Sequence, residues 1–144
     1  MKKHLHYIKW DECRKAVEGV RNTPPPDRII TIHRGGLALG VMFSHKYKVP
    51  LDISYITHYD KLDHLFSNEE LLAKNIHKRN ILIVDDISDT GHTLSKLYDK
   101  VKELSPNLLN TFTYAIKTDT SFTPDFYSLV LPEDTWAVFP WEII

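Results

Sequence analysis

The sequence has little of what would place the protein in a membrane, in an oxidising compartment or on nucleic acid. Its single cysteine, Cys13, excludes an intrachain disulfide and fits a reducing compartment. No apolar run reaches about 18 residues, and the first six residues lack the apolar core of a signal peptide. The net charge of -1 argues against a broad nucleic-acid footprint or a polybasic membrane surface. We therefore expect a cytoplasmic protein that neither spans a membrane nor binds nucleic acid.

The length and the composition are those of one globular domain. A chain of 144 residues is long enough to bury a core, and its hydrophobic content of 42% and charged content of 26% are ordinary. We therefore treat residues 1–144 as a single domain. Because the overall charge is balanced, the binding of an anionic ligand would depend on the local arrangement of residues and not on the net charge.

Strand-like and helix-like stretches alternate along the chain. The predicted helices cover residues 11–20, with Asp11 as the N-cap, then 37–47 and 94–104; the predicted strands cover residues 28–32, 51–56, 81–84, 111–117, 126–131 and 135–139. This order predicts an α/β fold, in which a mainly parallel sheet carries helices on both faces. Ligands of such sheets bind at the carboxyl ends of the strands.

Three segments are weaker as structural signals. Residues 4–6 (His-Leu-His) have no accompanying Cys/His cluster, so we expect a disordered or solvated N-terminus and not a metal site. Residues 51–56 alternate in polarity as a half-covered or edge strand does. Residues 57–78 are polar and without clean periodicity, which predicts a long loop with a short helix near residues 68–73.

The most informative stretch is residues 81–94, which read Ile-Leu-Ile-Val-Asp-Asp-Ile-Ser-Asp-Thr-Gly-His-Thr-Leu. Four uninterrupted apolar residues are typical of a strand buried on both faces of a parallel sheet. Asp85 and Asp86 follow at its end, and Asp89 precedes a Thr-Gly-x-Thr turn that leads into a helix. Carboxylates bind ribose hydroxyls and Mg²⁺, while a small-residue turn at a helix N-terminus offers N–H groups to a phosphate. The stretch therefore suggests a site for a ribose phosphate.

Two alternative interpretations of this stretch explain less. Asp, Ser, Thr and Gly are ordinary turn residues, but a plain turn does not account for three acids beside one phosphate-type turn. In a receiver domain, clustered acids hold Mg²⁺ and one aspartate is phosphorylated. Receivers carry their acidic pair near the N-terminus, whereas here the pair lies past mid-chain.

A second turn, His33-Arg34-Gly35-Gly36, follows the predicted strand at residues 28–32. Adjacent glycines let a backbone approach a ligand closely, and the fork of Arg34 suits phosphate oxygens. The alternative is a plain strand-to-helix turn with a solvated arginine. Because this turn accompanies the motif at residues 85–93, we interpret it as a second phosphate-binding element.

Together these two turns resemble the signature of the type I phosphoribosyltransferases, whose substrate is phosphoribosyl pyrophosphate (PRPP). The likeness is closest to the bacterial xanthine–guanine type, and it extends to Trp10-Asp11, Glu133-Asp134-Thr135-Trp136 and Pro140-Trp141-Glu142. It implies the type I fold with a mobile active-site loop at 57–78 and a small base-binding hood segment at 118–144. It also implies a non-proline cis peptide in the pyrophosphate loop, which we expect at Arg34–Gly35.

The resemblance also implies a role for individual residues. Those implied to bind PRPP are Arg34, Gly35, Gly36, Asp85, Asp86, Ser88, Asp89, Thr90, Gly91, His92 and Thr93. Mg²⁺ is the implied cofactor, held by Asp86 and its partner Asp85, and Asp89 is the implied catalytic residue at N7 of a purine. Lys117 is implied to face the O6 of a 6-oxopurine, while Trp136 stacks on the base and Ala137 contacts its edge. A hydrated ammonium suits a carbonyl oxygen better than the amino group of adenine.

The implied activity moves the 5-phosphoribosyl group of PRPP to N9 of guanine, xanthine or hypoxanthine, giving a nucleoside monophosphate and pyrophosphate. Val138 stands where the xanthine–guanine type tends to carry an acid, so the choice among the three bases stays open. His92 stands where relatives often have glycine, and it either donates to the 5′-phosphate or points outward. The 57–78 loop contains no arginine, so Lys61 or Lys74 is expected to cover the pyrophosphate. By the same resemblance we expect a homodimer or homotetramer.

Two further functions remain as alternatives. The first is an RNA-binding regulator on the same fold that senses PRPP or nucleotides. Its basic face is not evident, since 18 Lys+Arg residues balance 19 Asp+Glu residues. The second is a phosphoribosyltransferase for another base, such as adenine or orotate, against which Lys117 and Trp136 argue.

Overall fold

The computed structural model describes residues 3–54 and 69–144, which form strands and helices in alternation. The strands are β1 (His4–Tyr7), β2 (Arg28–Ile32), β3 (Leu51–Ser54), β4 (Asn80–Ser88), β5 (Leu108–Lys117), β6 (Leu129–Leu131) and β7 (Thr135–Val138). The helices are α1 (Trp10–Gly19), α2 (Leu37–Tyr47), α3 (Glu69–Ile76) and α4 (His92–Glu103). No helix of the described ranges is long and apolar enough to cross a membrane.

In the described part of the chain, the main sheet has five parallel strands in the order β3-β2-β4-β5-β6. Residues 81–84 of the central strand β4 are fully buried, because apolar side chains on both faces of the sheet lie under helices. β3 lies at one edge, as the alternation of residues 51–56 predicts, and residues 55 and 56 of that predicted strand lie outside the described residues. The predicted α/β fold with a mainly parallel sheet is confirmed.

The core is divided by the sheet into two layers. On one face Cys13 and Val17 of α1 and Phe43 of α2 pack against strand residues that include Leu82. On the other face Ile76 of α3 and the residues of α4 that recur at helical spacing (Leu94, Leu97 and Val101) pack against Ile81 and Ile83. Burying each such aliphatic side chain contributes about 1.5–3 kcal/mol, so both helical layers hold the sheet firmly.

A second, small sheet joins the two ends of the described chain. β1 pairs in parallel with β7, in a register that sets Leu5 opposite Trp136 and Tyr7 opposite Val138. Of the two expectations for residues 4–6, the disordered N-terminus is therefore wrong, whereas the exposed side chains of His4 and Leu5 agree with the solvated one. The pairing partner lies far away in the sequence, and local polarity gave no sign of it.

Several element boundaries differ from the sequence-based prediction. Helix α1 begins at Trp10 with Lys9 as its N-cap, and the backbone N–H of Lys9 donates to the Glu12 carboxylate at 3.1 Å, so Asp11 lies inside the first turn. Within the segment predicted as a long loop, residues 69–76 are helical and extend past the predicted short helix. β5 begins earlier than predicted and β6 is shorter, with Phe126 making only an isolated bridge to Phe112.

Candidate active site

The candidate site lies where β4 continues beyond its neighbour β2. The pairing of β2 with β4 ends at Thr31 and Val84, whereas β4 continues to Ser88, paired there only with β5. The acidic pair therefore lies within the last part of β4, not after the strand as predicted. Past the end of β2, the polypeptide turns through residues 33–36 into α2. This difference in strand length leaves one side of the acidic pair open to that turn.

The two carboxylates are adjacent and poorly solvated. Asp85 is buried, and its Oδ1 accepts the backbone N–H of Asp86 at 2.8 Å; Oδ1 of Asp86 accepts the N–H of Ile87 at 2.7 Å. Burial raises the pKa of Asp85 well above its ordinary value, and the neighbouring charge of Asp86 raises it further. Burial also raises the pKa of Asp86. Because two acids share a poorly solvated site, a bound cation would relieve their mutual repulsion.

The turn after β2 packs directly onto this acidic pair. A Cβ atom added to Gly35 would lie 2.8 Å from Oδ1 of Asp86, and one added to Gly36 would lie 2.7 Å from the Val84 carbonyl oxygen. Only residues without side chains allow this approach, which explains the glycine pair. The non-proline cis peptide of the turn is His33–Arg34, so the prediction of Arg34–Gly35 is wrong by one residue. The turn is thus the one predicted, with the cis bond before Arg34 and not after it.

Two clefts open on either side of Asp86. One, of about 200 Å³, is lined by residues of 85–94, including Asp85, Asp89, Thr90 and Gly91. The other, of about 530 Å³, is lined by Arg34, Gly35, Asp86, Trp141, Glu142 and Ile143. Since Asp86 lines both clefts, its carboxylate is placed to face groups bound in either of them.

The first cleft ends at the beginning of α4. Gly91 is the N-cap of this helix and has a φ of 92°, a left-handed conformation that glycine adopts without strain. His92 does not line the cleft, and its side chain is exposed. Of the two predicted roles, this position favours a side chain that points outward over one that donates to the 5′-phosphate. Ser88 also lines this cleft, and its hydroxyl is held by the protein because it donates to the Phe122 carbonyl at 2.7 Å.

The predicted base-binding residues lie at the carboxyl end of β5 and on β7. Lys117 is the last residue of β5 and only 5% exposed; its ammonium donates to the carbonyl oxygens of Thr135 and of Glu133, the latter at 3.2 Å. Trp136 is 47% exposed, and the Lys3 ammonium lies 4.8 Å from the centre of its ring. Ala137 and Val138 are buried. Lys117 thus anchors the backbone that carries Trp136.

No group of three or more potential metal ligands (His, Cys, Asp or Glu) converges among residues 3–54 and 69–144. Proteins often bind Mg²⁺ through only one or two carboxylates, while substrate phosphates and water supply the other ligands. The pair formed by Asp85 and Asp86 fits that requirement.

The comparison with known proteins decides the family. The sequence matches the phosphoribosyl transferase domain family over residues 8–143. This chain belongs to the type I phosphoribosyltransferase family. A purine phosphoribosyltransferase of Pyrococcus horikoshii, known from a crystal structure, is 30% identical with a TM-score of 0.82 over 97% of this chain and 95% of that one.

Curated relatives of this phosphoribosyltransferase agree with that assignment. The xanthine-guanine phosphoribosyltransferase of Idiomarina loihiensis is 27% identical over 145 residues, which cover 95% of this chain and 86% of that protein. The xanthine-guanine phosphoribosyltransferase of Nitratidesulfovibrio vulgaris is 29% identical over 140 residues, which cover 94% and 83%. The predicted family and fold class are therefore confirmed.

Two residues near the cleft of this phosphoribosyltransferase received no predicted role. Trp141 and Glu142 line the larger cleft beside Arg34, and the charge of Glu142 contributes to the raised pKa of Asp86. The ring of Trp141 stacks on Phe139, with centroids 4.9 Å apart, and also contacts Trp10. The Pro140-Trp141-Glu142 sequence was a signal of the family, but sequence alone did not place it beside Asp86.

Of the two lysines predicted to cover the pyrophosphate, only Lys74 lies among the described residues. Lys61, together with residues 57–68 of the predicted loop, lies outside the described residues. Lys74 lies on α3, and its side chain is exposed. The assignment of a covering lysine stays a prediction.

Proposed function

We propose that this phosphoribosyltransferase moves the 5-phosphoribosyl group of PRPP to N9 of a 6-oxopurine and releases pyrophosphate. The observation that carries the choice of base is the buried Lys117 ammonium at the carboxyl end of β5. Lysine is rarely buried unless it has partners, and here it is held by carbonyl oxygens beside Trp136. The names of the relatives in P. horikoshii, I. loihiensis and N. vulgaris support a purine substrate.

In this proposal the base lies between an aromatic platform and a fixed cation. The half-exposed ring of Trp136 offers one face for stacking, and the ammonium of Lys117 donates to the O6 of the base. Adenine presents an amino donor at the same position, so Lys117 would select against it. Ala137 and Val138 are small and buried, so this part of β7 offers no carboxylate to a 2-amino group. Hypoxanthine and xanthine are therefore substrates to compare directly with guanine.

PRPP would occupy both clefts beside Asp86. The 5′-phosphate would bind at the turn of residues 89–93, where α4 begins. The pyrophosphate would lie by Arg34 and the Gly35-Gly36 backbone in the larger cleft. Mg²⁺, held by Asp86 with Asp85, would supply the positive charge that neutralises the departing pyrophosphate. The two carboxylates would also stabilise positive charge that develops on the ribose ring.

Asp89 is the proposed acid–base residue. It is exposed, lines the smaller cleft and is the first residue of the proposed phosphate turn. In this position its carboxylate would orient the base through N7 and accept the proton that N7 loses.

The test is release of pyrophosphate from PRPP in the presence of Mg²⁺, with hypoxanthine, guanine, xanthine and adenine supplied in separate reactions. Turnover with one or more oxopurines, but not with adenine, is the expected result. Turnover with adenine alone would contradict the role of Lys117. If PRPP binds but no pyrophosphate is released with any of the four bases, two functions remain: transfer to a different acceptor, or the RNA-binding regulator. Absence of PRPP binding would contradict the proposal as a whole.

A further inference from the structure

A loop after β5 is hydrogen-bonded to the turn that precedes α4. Ser121 makes two hydrogen bonds to one acceptor: its backbone N–H donates to the Thr90 carbonyl at 2.9 Å, and its hydroxyl donates to the same oxygen at 2.7 Å. Ser121 is exposed, so this pair of bonds is not part of the hydrophobic core. Its effect is local to the peptide between Thr90 and Gly91.

The backbone of Gly91 is packed against this same loop. A Cβ atom on Gly91 would lie 2.6 Å from the backbone nitrogen of Phe122 and 2.8 Å from the hydroxyl oxygen of Ser121. Both the left-handed φ of 92° and this lack of space demand glycine at position 91. The loop therefore contacts the turn closely, in addition to its hydrogen bonds.

The other side of the loop is fixed as well. The Ser88 hydroxyl at the end of β4 donates to the Phe122 carbonyl at 2.7 Å and lies 2.9 Å from the Thr120 hydroxyl. The ring of Phe122 contacts Tyr98 of α4, with centroids 5.4 Å apart. Residues 120–122 are thus attached to β4 and to α4, the two elements that flank the turn.

The planarity of the peptide bond converts these contacts into an orientation. The Thr90 carbonyl and the Gly91 N–H belong to one planar trans unit and point in opposite directions. When Ser121 holds the Thr90 oxygen, the Gly91 N–H is turned away from the loop. Gly91 is buried, and its N–H makes no hydrogen bond within the described part of the chain. A buried amide without a partner is uncommon and is accounted for when a ligand supplies the acceptor.

We propose that Ser121 is a positioning residue that orients the Gly91 N–H toward the 5′-phosphate of the substrate. This inference rests on the proposed function, because it assigns the phosphate of PRPP to the turn at residues 89–93. Ser121 touches the protein and not the phosphate, so its contribution is to fix the donor before the ligand arrives. A donor that is already fixed loses less conformational entropy when the ligand binds, which strengthens the binding.

The experiment compares Ser121→Ala, Ser121→Thr and wild type in calorimetric titrations with ribose 5-phosphate and with PRPP. Ser128→Ala is the matched control, since this exposed serine also follows β5 and its hydroxyl makes no hydrogen bond in the described part of the chain. We expect Ser121→Ala to weaken both ligands about threefold to tenfold, the range for loss of one hydrogen bond, while its backbone N–H still donates. Ser121→Thr keeps a hydroxyl and should restore the affinity.

Steady-state kinetics separate positioning from a general structural role. A positioning role raises the KM for PRPP by the same factor in Ser121→Ala and leaves the KM for the purine at its wild-type value. Unchanged affinity for ribose 5-phosphate in Ser121→Ala would overturn the inference while leaving the proposed function intact. A lower Tm with equal losses for both substrates would also overturn it, since that pattern marks a structural role. Absence of ribose 5-phosphate and PRPP binding in wild type would overturn both proposals.

Discussion

Gly35 contacts the carboxylate of Asp86 so closely that a Cβ atom at residue 35 would lie 2.5 Å from Cγ of the acid. The contact joins the turn after β2 to the strand β4, and its two residues are 51 positions apart in the sequence. It fixes the distance between the proposed pyrophosphate-binding backbone and the proposed ligand of Mg²⁺. The two halves of the candidate site are therefore in direct contact.

The first prediction concerns this contact. Gly35→Ala should displace either the turn or the Asp86 carboxylate and lower kcat/KM about 10²-fold or more, the usual effect of misplacing a reacting group by about 1 Å. Steady-state kinetics with PRPP measure the loss. Gly19→Ala is the control, because a Cβ atom on Gly19 meets no atom within 4 Å. It should keep full activity, with a Tm equal to or above that of wild type. Full activity in Gly35→Ala would contradict the proposed site.

The second prediction concerns the raised pKa of Asp85. A carboxyl whose folded-state pKa is raised stabilises the fold while protonated, and this contribution is lost as the pH rises through the folded-state pKa. Compared with acidic pH, the titration of Asp85 therefore makes the ligand-free protein less stable at pH 7. Asp85→Asn should raise the Tm at pH 7 without ligands, and the difference from wild type should shrink as the pH is lowered toward 4.

The same substitution should weaken the proposed metal site. We expect Asp85→Asn to reduce the affinity for Mg²⁺, measured in the presence of PRPP, about 10-fold to 100-fold. Asp52→Asn is not a suitable control, because Asp52 pairs with Arg28 between β3 and β2. Asp99→Asn on the exposed surface of α4 is suitable. A Tm of Asp85→Asn below that of wild type at pH 7 would show that the buried Asp85 carboxyl does not lower the stability of the ligand-free protein.

The third prediction concerns Lys117. Lys117→Met removes the buried ammonium and should lower kcat/KM for oxopurines about 10²-fold, because the site then lacks its donor to O6. The KM for PRPP should stay near the wild-type value, since Lys117 lines neither cleft beside Asp86. Lys102→Met, on the last turn of α4, is the control. Equal losses in kcat/KM for PRPP and for hypoxanthine would argue that Lys117 only anchors Glu133 and Thr135.

The fourth prediction concerns Asp89. Asp89→Asn keeps the shape of the side chain but cannot accept the proton of N7, and it should lower kcat about 10²-fold. Asp119→Asn, in the turn after β5, is a matched exposed aspartate that should retain activity. Pre-steady-state measurement of nucleotide formation isolates the chemical step. Wild-type turnover in Asp89→Asn would exclude Asp89 from the reaction.

The fifth prediction concerns Cys13, which is fully buried in α1. Burial raises the pKa of its thiol to about 11, so at pH 8 only about one molecule in a thousand carries the thiolate. The native protein should therefore react slowly with a disulfide reagent, and denaturant should release one thiol per chain. Rapid reaction without denaturant would contradict this packing of α1.

Local sequence patterns were sufficient for the parts of the fold that depend on neighbouring residues. The run at residues 81–84 predicted the buried central strand, because four consecutive apolar side chains are typical of a strand covered on both faces. The glycines at 35 and 36 predicted a close backbone approach, and the structure supplies the partner, Asp86. What these patterns have in common is that the chemistry of the residues themselves restricts the conformation.

Contacts between distant segments were not predictable in the same way. The pairing of β1 with β7 depends on register between the two ends of the described chain. The bonds of Ser121 to Thr90 depend on where the loop after β5 returns to the sheet. The approach of Glu142 to Asp86 likewise follows from the path of the C-terminal segment. Such placements arise from the packing of the whole domain, and composition or periodicity carries no information on them.

The pairing of β1 with β7 also bears on how the protein is made. During synthesis from the N-terminus, β1 emerges first and has no partner strand until residues 135–138 have left the ribosome. The main sheet can form before then, because its strands lie within residues 28–131. The proposed base-binding side of the candidate site, where Trp136 lies on β7, is therefore the last to be completed. Deleting residues of β1 or of β7 removes the same small sheet. A deletion in β1 should therefore also disturb Trp136, which lies on β7.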